Sequence, residues 1–250
     1  MKTFCLDTET SAGSKDGRIV QVAIVDESYR EEWLVNPESY IEPGCIAVHK
    51  ITPDMVADKP NFKNSDAYIE LGKRLENDEV LIAHHAPFDT AILANEGVHI
   101  DKFICTCKVA RKILKPDWVP KFWLQFLKDY LDLESLNSHD TLTGYAHSAL
   151  YDTIVLYWLY KYLYEKIEQR YPGEDPNEVM YSITHDIIPM KIFKFWKYKW
   201  RTLVDVANID RGYLHWLYES EMKHPPAKRK SSLIAWLLLH ISVEETERTS

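Results

Sequence analysis

The segment Ile19–Val25 most restricts the fold of this 250-residue chain. It reads Ile-Val-Gln-Val-Ala-Ile-Val, which is almost entirely apolar and mostly β-branched. A strand without polar alternation is typical of a sheet that is covered on both faces, because neither side of such a strand meets water. The segment therefore predicts a strand inside a layered sheet.

The other apolar segments extend this into an α/β pattern. Apolar runs predict further strands at residues 3–7, 32–35, 80–83 and 103–106. Helical spacing predicts helices at 65–76, 86–94, 107–114 and 148–169. Because three strands come first and later strands alternate with helices, the order predicts a mixed five-stranded sheet with helices on both faces.

Composition narrows the class of protein. With 46% hydrophobic and 12% aromatic residues, the chain can build a packed core, which argues against wholesale disorder. No apolar stretch approaches the roughly 20 residues of a membrane span, and an acid at position 7 argues against a signal peptide. The four cysteines include no Cys-x-x-Cys pair. We therefore expect a cytoplasmic protein with no membrane partner, with reduced thiols and with neither disulfides nor a zinc site.

Charge is distributed unevenly along the chain, whose formal net charge is −8. Residues 187–250 contain 11 Lys and Arg against 7 Asp and Glu, so the tail is basic and the remainder is strongly acidic. The segment 171–178 is rich in Pro and polar residues, as linkers are. We predict one domain at 1–170, a linker region at 171–186 and a small basic module at 187–250.

Basic and aromatic residues alternate at 196–201. On a strand this places Lys197, Lys199 and Arg201 on one face, and Lys228, Arg229 and Lys230 follow later in the tail. The pattern predicts a surface on which bases stack and phosphates are neutralised. A small structural β-element with solvated lysines remains an equal alternative.

Four acids and a histidine form the candidate chemical site. Asp7 and Glu9 lie two residues apart, so on a strand both face the same way and repel unless a cation lies between them. Asp89 follows the strand at 80–83 and approaches Asp7 if the two strands are neighbours. Oxygen ligands of this kind suit Mg²⁺ or Mn²⁺. Solvated acids at the end of a strand and in a first helical turn are the alternative.

His147 and Asp152 complete this set. Five residues on a helix correspond to about 140°, so the two side chains can meet only if His147 precedes the long helix and Asp152 lies in its first turn. Asp152 is surrounded by apolar residues, and an acid there needs a partner or a metal. Together the acids could hold two metal ions, with the histidine taking a proton from an attacking water.

These segments resemble a known family. Asp7-Thr8-Glu9-Thr10, the segment at 83–89 that ends in Phe88-Asp89, and His147 with Asp152 resemble the three motifs of the histidine-type DEDD 3′→5′ exonucleases. The His-Lys-Ile-Thr segment that begins at His49 and the segment at 104–111 add to the likeness. The tail at 193–217 resembles that of the exonuclease X branch of this family. The resemblance implies a ribonuclease H-like fold.

The resemblance also implies roles for the matched residues. Asp7, Glu9, Asp89 and Asp152 would bind two Mg²⁺ ions, for which Mn²⁺ could substitute, and His147 would be the general base. Contacts to the terminal nucleotide would come from five positions: Thr8, Thr10, His49, His85 and Phe88. Position 85 is His where the family usually has Asn, and Trp196 and Trp200 stand where it usually has Gly.

We therefore expect a two-metal 3′→5′ exonuclease that acts on DNA 3′ ends, favours single strands and releases nucleoside 5′-monophosphates. Trimming of RNA 3′ ends and a polymerase-associated proofreading role are the catalytic alternatives. A non-catalytic nucleic-acid binding module is the alternative from another class. Monomer and homodimer both stay open.

Overall fold

The fold is taken from a computed structural model of the full chain. The structure describes residues 1–14, 16–114, 119–138, 140–142, 144–185, 197–198, 201, 205–206 and 209–223. The chain divides into two compact units, Met1–Thr184 and His185–Ser250. The boundaries expected from the sequence for the domains and the linker stay a prediction.

The first unit contains a mixed five-stranded sheet in the order β3-β2-β1-β4-β5. The strands are β1 (Thr3–Thr10), β2 (Ile19–Val25), β3 (Arg30–Leu34), β4 (Val80–Ala83) and β5 (Phe103–Cys105). β2 is antiparallel to both β1 and β3, whereas β4 is parallel to both β1 and β5. Every residue of β2 is buried, so both faces of the sheet are covered. The predicted α/β fold is confirmed.

The helices of this unit are α1 (Pro43–His49), α2 (Pro53–Val56), α3 (Asp66–Glu76), α4 (Ala86–Asn95), α5 (Thr106–Ile113), α6 (Leu124–Tyr130), α7 (Leu133–Leu136), α8 (Ala149–Arg170) and α9 (Pro176–Thr184). A short 3₁₀ helix spans Phe62–Asn64. The long α8 packs on β1 and β2, and α4 packs on β4 and β5. Because of these contacts, the N-terminal ends of α4 and α8 lie next to the sheet.

The sequence prediction missed some elements and misplaced one boundary. Helices α1, α2, α6 and α7 were not predicted, because each spans only four to seven residues and shows too few turns of periodicity. Strand β1 continues to Thr10 instead of ending near Asp7, because Thr8, Glu9 and Thr10 remain paired with β2. The acids Asp7 and Glu9 therefore lie within a strand and not at its end.

The core of the first unit is made by side chains from the sheet and from the helices that cover it. Phe4, Leu6, Ile24 and Leu81 belong to one buried cluster that also includes Ile92 of α4. All four cysteines are free thiols, as expected. Among the described residues, no helix is long and apolar enough to cross a membrane.

In the second unit the described residues include α10 (Arg211–Met222), which begins after Asp210. The Asp210 side chain accepts hydrogen bonds from the Tyr198 hydroxyl at 2.7 Å and from the Tyr213 backbone N–H at 3.0 Å. The Arg201 N–H donates to the carbonyl of Tyr198 at 3.0 Å, which is typical of a turn. This hydrogen bond does not fit the extended backbone on which the separation of faces at 196–201 depends, and Trp196, Lys199 and Trp200 lie outside the described residues.

Candidate active site

Strand β1 presents two carboxylates on the same face of the sheet. Asp7 pairs with Ala23 of β2, and Glu9 pairs with Gln21, so the two acids are separated by one full pleat. The register shifts between Glu9 and Thr10, as in a β-bulge, which bends the strand just beyond the acids. Both acids are half-buried.

Asp89 approaches these acids because β4 runs parallel beside β1, with Thr3 opposite Val80. Asp89 lies in the first turn of α4, which starts three residues after β4 ends, and its side chain is only 4% exposed. The Thr8 hydroxyl donates to Asp89 Oδ1 at 3.1 Å. The strand neighbourhood on which the prediction for Asp89 depended is thus confirmed.

His147 and Asp152 lie next to each other, with His147 before the long helix and Asp152 in its first turn, as their spacing predicts. His147 lies before α8 with φ at 66°, and Asp152 lies in the first turn of the helix. The left-handed backbone at His147 lets its N–H donate to Asp152 Oδ2 at 3.3 Å. The ring atom Nδ1 of His147 lies 3.9 Å from the same oxygen, and the His147 side chain is 54% exposed. The ring is therefore accessible to solvent and stays next to the carboxylate.

Two glutamines that the sequence prediction missed position this end of α8. Gln21 Oε1 accepts the backbone N–H of Ala149 at 3.0 Å and so satisfies a free donor at the start of the helix. Gln125 Nε2 in α6 donates to Asp152 Oδ1 at 2.5 Å. Gln21 could have been noticed in the sequence only as the polar residue inside the apolar run Ile19–Val25. No sequence signal indicated a role for Gln125.

The carboxylates of Asp7, Glu9 and Asp152 converge. One oxygen from each lies within 4.8 Å of the oxygens from the other two. Burial raises the pKa of Asp7 well above its ordinary value, and the charges of Asp89, Asp152 and Glu9 raise it further. Burial, together with the charges of Asp152 and Asp89, raises the pKa of Glu9 to about 8.

The pKa values of Asp89 and Asp152 are also raised. Burial raises the pKa of Asp89 to about 7, although the hydrogen bond from Thr8 opposes the rise. Burial raises the pKa of Asp152 to about 6 against the opposing effects of His147 and Gln125. Without a cation these acids are held partly protonated near neutral pH. A group of buried oxygen donors that repel one another fits a hard divalent ion such as Mg²⁺.

His49 lies at the end of α1, and its ring is buried. Its ring Nδ1 accepts the N–H of Ile51 at 2.9 Å, so the proton of the neutral ring is on Nε2. This Nε2 makes no hydrogen bond of good geometry among the described residues. Burial lowers the pKa of His49, and a weak hydrogen bond to the Thr10 backbone partly opposes this. The Tyr145 hydroxyl donates to the His49 carbonyl at 3.2 Å and links α1 to the loop that carries His147.

The other expected nucleotide contacts differ in accessibility. His85 is exposed at the start of α4, and Phe88 is half-buried against the core. The side chains of Thr8 and Thr10 are buried and already occupied, since Thr8 donates to Asp89 and Thr10 donates to the Ala12 carbonyl at 2.7 Å. These two hydroxyls therefore already use their donors, and they could contact a nucleotide only as acceptors.

The basic tail is described at only two of its six expected positions. Lys197 is exposed and pairs with Asp210 at 3.1 Å, so part of its charge is neutralised within the second unit. Arg201 is exposed. The remaining expected positions, Lys199, Lys228, Arg229 and Lys230, lie outside the described residues, as do Trp196 and Trp200.

The family model described as "Exonuclease" matches residues 4–160, which include every acid of the site and His147. The chain belongs to the exonuclease family. The resemblance to the DEDD exonucleases is thereby confirmed, and the protein is an exonuclease, which excludes the non-catalytic alternative.

Individual relatives agree with this assignment. The exonuclease is 31% identical to exodeoxyribonuclease 10 of Escherichia coli (strain K12) over 220 residues, which cover 86% of this chain and 90% of that protein. A structure of exonuclease X in complex with 5′-overhanging duplex DNA is 27% identical with a TM-score of 0.53, and the match covers 73% of this chain and 99% of that chain. The structure of cell-death related nuclease 4 matches 68% of this chain and 64% of its own at a TM-score of 0.50 and 12% identity, which indicates the shared fold.

Proposed function

We propose that this exonuclease removes nucleotides from the 3′ end of DNA by metal-dependent hydrolysis and releases nucleoside 5′-monophosphates. The observation that carries the proposal is the convergence of the Asp7, Glu9 and Asp152 carboxylates beside an accessible histidine. The names of the two relatives with the highest identity among those described, exodeoxyribonuclease 10 and exonuclease X in complex with DNA, favour DNA over RNA.

The residues that would bind the ions are the four acids. Asp7, Glu9 and Asp152 would bind one ion together, since one oxygen from each lies within 4.8 Å of the others. Asp7 would also contact a second ion, with Asp89 nearby. Two divalent cations in such a site withdraw charge from the phosphate and from the attacking and leaving oxygens.

His147 would accept a proton from the attacking water. The water oxygen forms a bond to phosphorus, and the bond from phosphorus to the O3′ of the preceding nucleotide breaks. The proton of the water passes to His147, and the departing O3′ takes a proton from solvent. The Asp152 carboxylate, 3.9 Å from the ring, stabilises the imidazolium that forms.

The terminal nucleotide would be oriented by groups next to the acids. The Nε2–H of His49 is a buried donor without a hydrogen bond of good geometry, and a phosphate or sugar oxygen would supply a better acceptor. The exposed ring of His85 and the half-buried ring of Phe88 offer surfaces for the base and sugar. The backbone near the bulge at Glu9 and Thr10 would contact the 3′-hydroxyl.

The test uses one DNA strand labelled at either end. With Mg²⁺, a 3′ label should appear at once as a nucleoside 5′-monophosphate, and a 5′-labelled strand should shorten in single-nucleotide steps. EDTA and the variant Asp7→Asn should each stop release. Release of the 5′ label as the first product, or equal activity of folded Asp7→Asn, would contradict the proposal.

Matched RNA and duplex substrates test the substrate preference. We expect faster hydrolysis of single-stranded DNA than of RNA with the same sequence. A clear preference for RNA would favour the trimming alternative. Retention of the chain by a polymerase in a pull-down would favour a proofreading role. Homodimer formation and a cytoplasmic location also stay predictions, and sedimentation analysis tests the first.

The basic tail remains a proposed DNA contact, with Lys197 and Arg201 as its described members. The triple variant Lys197→Gln, Lys199→Gln and Arg201→Gln should bind DNA more weakly. Loss of about three phosphate contacts on a single strand flattens the log–log salt dependence by roughly 2. Unchanged affinity and an unchanged slope would assign these residues a structural role.

A further inference from the structure

We infer that His84, His85 and Cys107 form a second metal site, distinct from the carboxylate cluster and selective for a thiophilic divalent ion such as Zn²⁺. One ligand atom from each residue lies within 4.8 Å of the ligand atoms of the other two. Cys sulfur and His nitrogen are both usual zinc ligands, and a site with three protein ligands leaves a fourth position for another ligand. The spacing of the cysteines did not predict this cluster, because the nitrogen donors come from another strand.

The parallel pairing of β4 and β5 creates the cluster. Ala83 is opposite Cys105, so the residues that follow the two strands emerge side by side. His84 and His85 come directly after β4, and Cys107 lies in the first turn of α5. The backbone N–H of Cys107 donates to the His84 carbonyl at 3.0 Å, which fixes the relative position of the two segments. Cys107 therefore lies on a helix, and His84 and His85 lie in the two-residue turn between β4 and α4.

The buried donors of His84 and Cys107 point to the same place. His84 Nε2 lies 2.7 Å from the carbonyl oxygen of Phe122, and Cys107 Sγ lies 3.6 Å from that oxygen. A nitrogen and a sulfur are therefore arranged around one oxygen. The exposed His85, whose ring centroid is 5.3 Å from that of His84, can supply a second nitrogen from the solvent side.

A hydroxyl behind His84 can stabilise the ring in its metal-binding form. Thr106 Oγ1 lies 3.0 Å from His84 Nδ1 and can also donate to the Ala83 carbonyl at 3.4 Å. Without an ion, Nε2–H donates to Phe122 and the Thr106 hydroxyl donates to Nδ1. With an ion on Nε2, Nδ1–H donates to Thr106, and the hydroxyl donates to Ala83. Metal-binding histidines typically have such a partner on the second nitrogen.

Protonation and charge make the site selective. Without an ion both ring nitrogens of His84 are hydrogen-bonded, so an ion binds at Nε2 only after the tautomer shift described above and in place of the hydrogen bond to Phe122. Binding displaces the proton of the Cys107 thiol to solvent, and the sulfur–metal bond forms in its place. The nearby Arg111 lowers the pKa of Cys107 against the larger effect of burial, and its positive charge also repels a cation. An ion is therefore favoured only as a thiolate complex, which Zn²⁺ forms readily and Mg²⁺ does not.

Binding at this cluster has a consequence for catalysis that rests on the proposed function. His85 is a proposed contact of the terminal nucleotide, and an ion held by its ring fixes that ring to Cys107. We therefore expect Zn²⁺ to inhibit the exonuclease by raising KM for DNA. This effect should occur while Mg²⁺ saturates the carboxylate cluster.

The test for the site is a spectroscopic titration that does not depend on activity. Co²⁺ is added to the full-length protein in excess Mg²⁺, and the thiolate-to-cobalt charge-transfer absorption is recorded. We expect one equivalent of Co²⁺ per chain to develop this band, and Zn²⁺ to abolish it. Carboxylates cannot produce the band, so failure of the proposed function does not affect the result.

Two variants test the ligands, a third tests the residue that orients His84, and a fourth is the control. Cys107→Ser should lose the band, and His85→Ala should bind Co²⁺ more weakly. Thr106→Val should weaken Co²⁺ binding by about 10–100-fold through the orientation of His84. Cys45→Ser, which removes a half-buried thiol outside the cluster, should retain the full band. Circular dichroism melts of each variant establish that it is folded.

Several outcomes would overturn the inference. They are an absent charge-transfer band in the unmodified protein, a band that persists in Cys107→Ser, a band that is lost in Cys45→Ser, or unchanged affinity in His85→Ala. If Cys107→Ser fails to fold, His85→Ala at the exposed position decides the question alone. In the activity assay, Zn²⁺ should raise KM for DNA in the unmodified enzyme. The factor of this increase should be at least about tenfold larger than the factor in Cys107→Ser.

Discussion

Replacing Glu9 by Gln should make the metal-free protein more stable, even though it damages the active site. Glu9 is half-buried beside Asp7 and Asp152, and its pKa is raised from 4.5 to about 8. A carboxyl whose pKa is higher in the folded state stabilises the protein at low pH, and this contribution is lost as pH rises through the folded pKa. The free energy of unfolding in EDTA should therefore fall between about pH 4.5 and 8.

The size of the effect follows from the pKa of Glu9. At about 1.36 kcal/mol for each pKa unit, the shift corresponds to an upper limit of about 5 kcal/mol. Partial exposure of Glu9 and proton sharing with its neighbours reduce this, so we expect roughly 2–3 kcal/mol at pH 8. For a domain of this size, that is a rise of about 4–12 °C in Tm. At pH 5 the difference should shrink to within about 1 kcal/mol.

The assay is thermal unfolding followed by circular dichroism at pH 5 and pH 8, in EDTA and in saturating Mg²⁺. Mg²⁺ stabilises the folded form in proportion to its affinity, so the unmodified protein should gain more than Glu9→Gln, which has lost a ligand. Glu165→Gln removes an exposed acid from α8 and serves as the matched control. Its Tm should be unchanged under all four conditions.

The reasoning would be refuted if Glu9→Gln in EDTA at pH 8 were no more stable than the unmodified protein. It would also be refuted if the advantage were as large at pH 5 as at pH 8, because the gain would then come from packing and not from charge. Equal stabilisation of both proteins by Mg²⁺ would remove Glu9 from the ligand set.

Three further predictions concern the same site. Asp7→Ala should reduce Mg²⁺-dependent nucleotide release to background in a folded protein, and measurable release would remove Asp7 from the site. His147→Ala should lower kcat by about 10²–10⁴ with unchanged DNA affinity in an anisotropy titration. An unchanged kcat in folded His147→Ala, with chemistry shown to be rate-limiting, would contradict the role of His147. Gln21→Ala should remove the cap of α8 and lower the free energy of unfolding by about 1–2 kcal/mol in urea, whereas an unchanged midpoint would show that water replaces the amide.

The proposed zinc site and the carboxylate site would make this protein responsive to two kinds of ion. The hard oxygen donors of Asp7, Glu9 and Asp152 suit Mg²⁺, and the nitrogen and sulfur donors of His84 and Cys107 suit Zn²⁺. The carboxylates come from β1 and α8, whereas His84 and Cys107 follow the ends of β4 and β5. Selectivity between them would follow from donor chemistry alone.

The sequence by itself determined the positions of the strands and of the long helix. The bounds of β2 and β4 agree with the apolar runs, because buried strands cannot alternate with polar residues without exposing them. The position of His147 before α8 followed from helical geometry, since five residues of helix separate two side chains by about 140°. These features depend on the spacing of residues along the chain, and the sequence gives that spacing directly.

Only the tertiary structure decided which distant side chains meet. Gln21 caps a helix that begins 128 residues later, and the Tyr145 hydroxyl lies against the His49 carbonyl across 96 residues. His84 and Cys107 converge because two parallel strands end side by side. Such contacts depend on strand register and on the path of loops, and no periodicity in the sequence encodes either. The positions of the strands and of the long helix could therefore be predicted from the sequence, whereas the contacts between distant side chains could not.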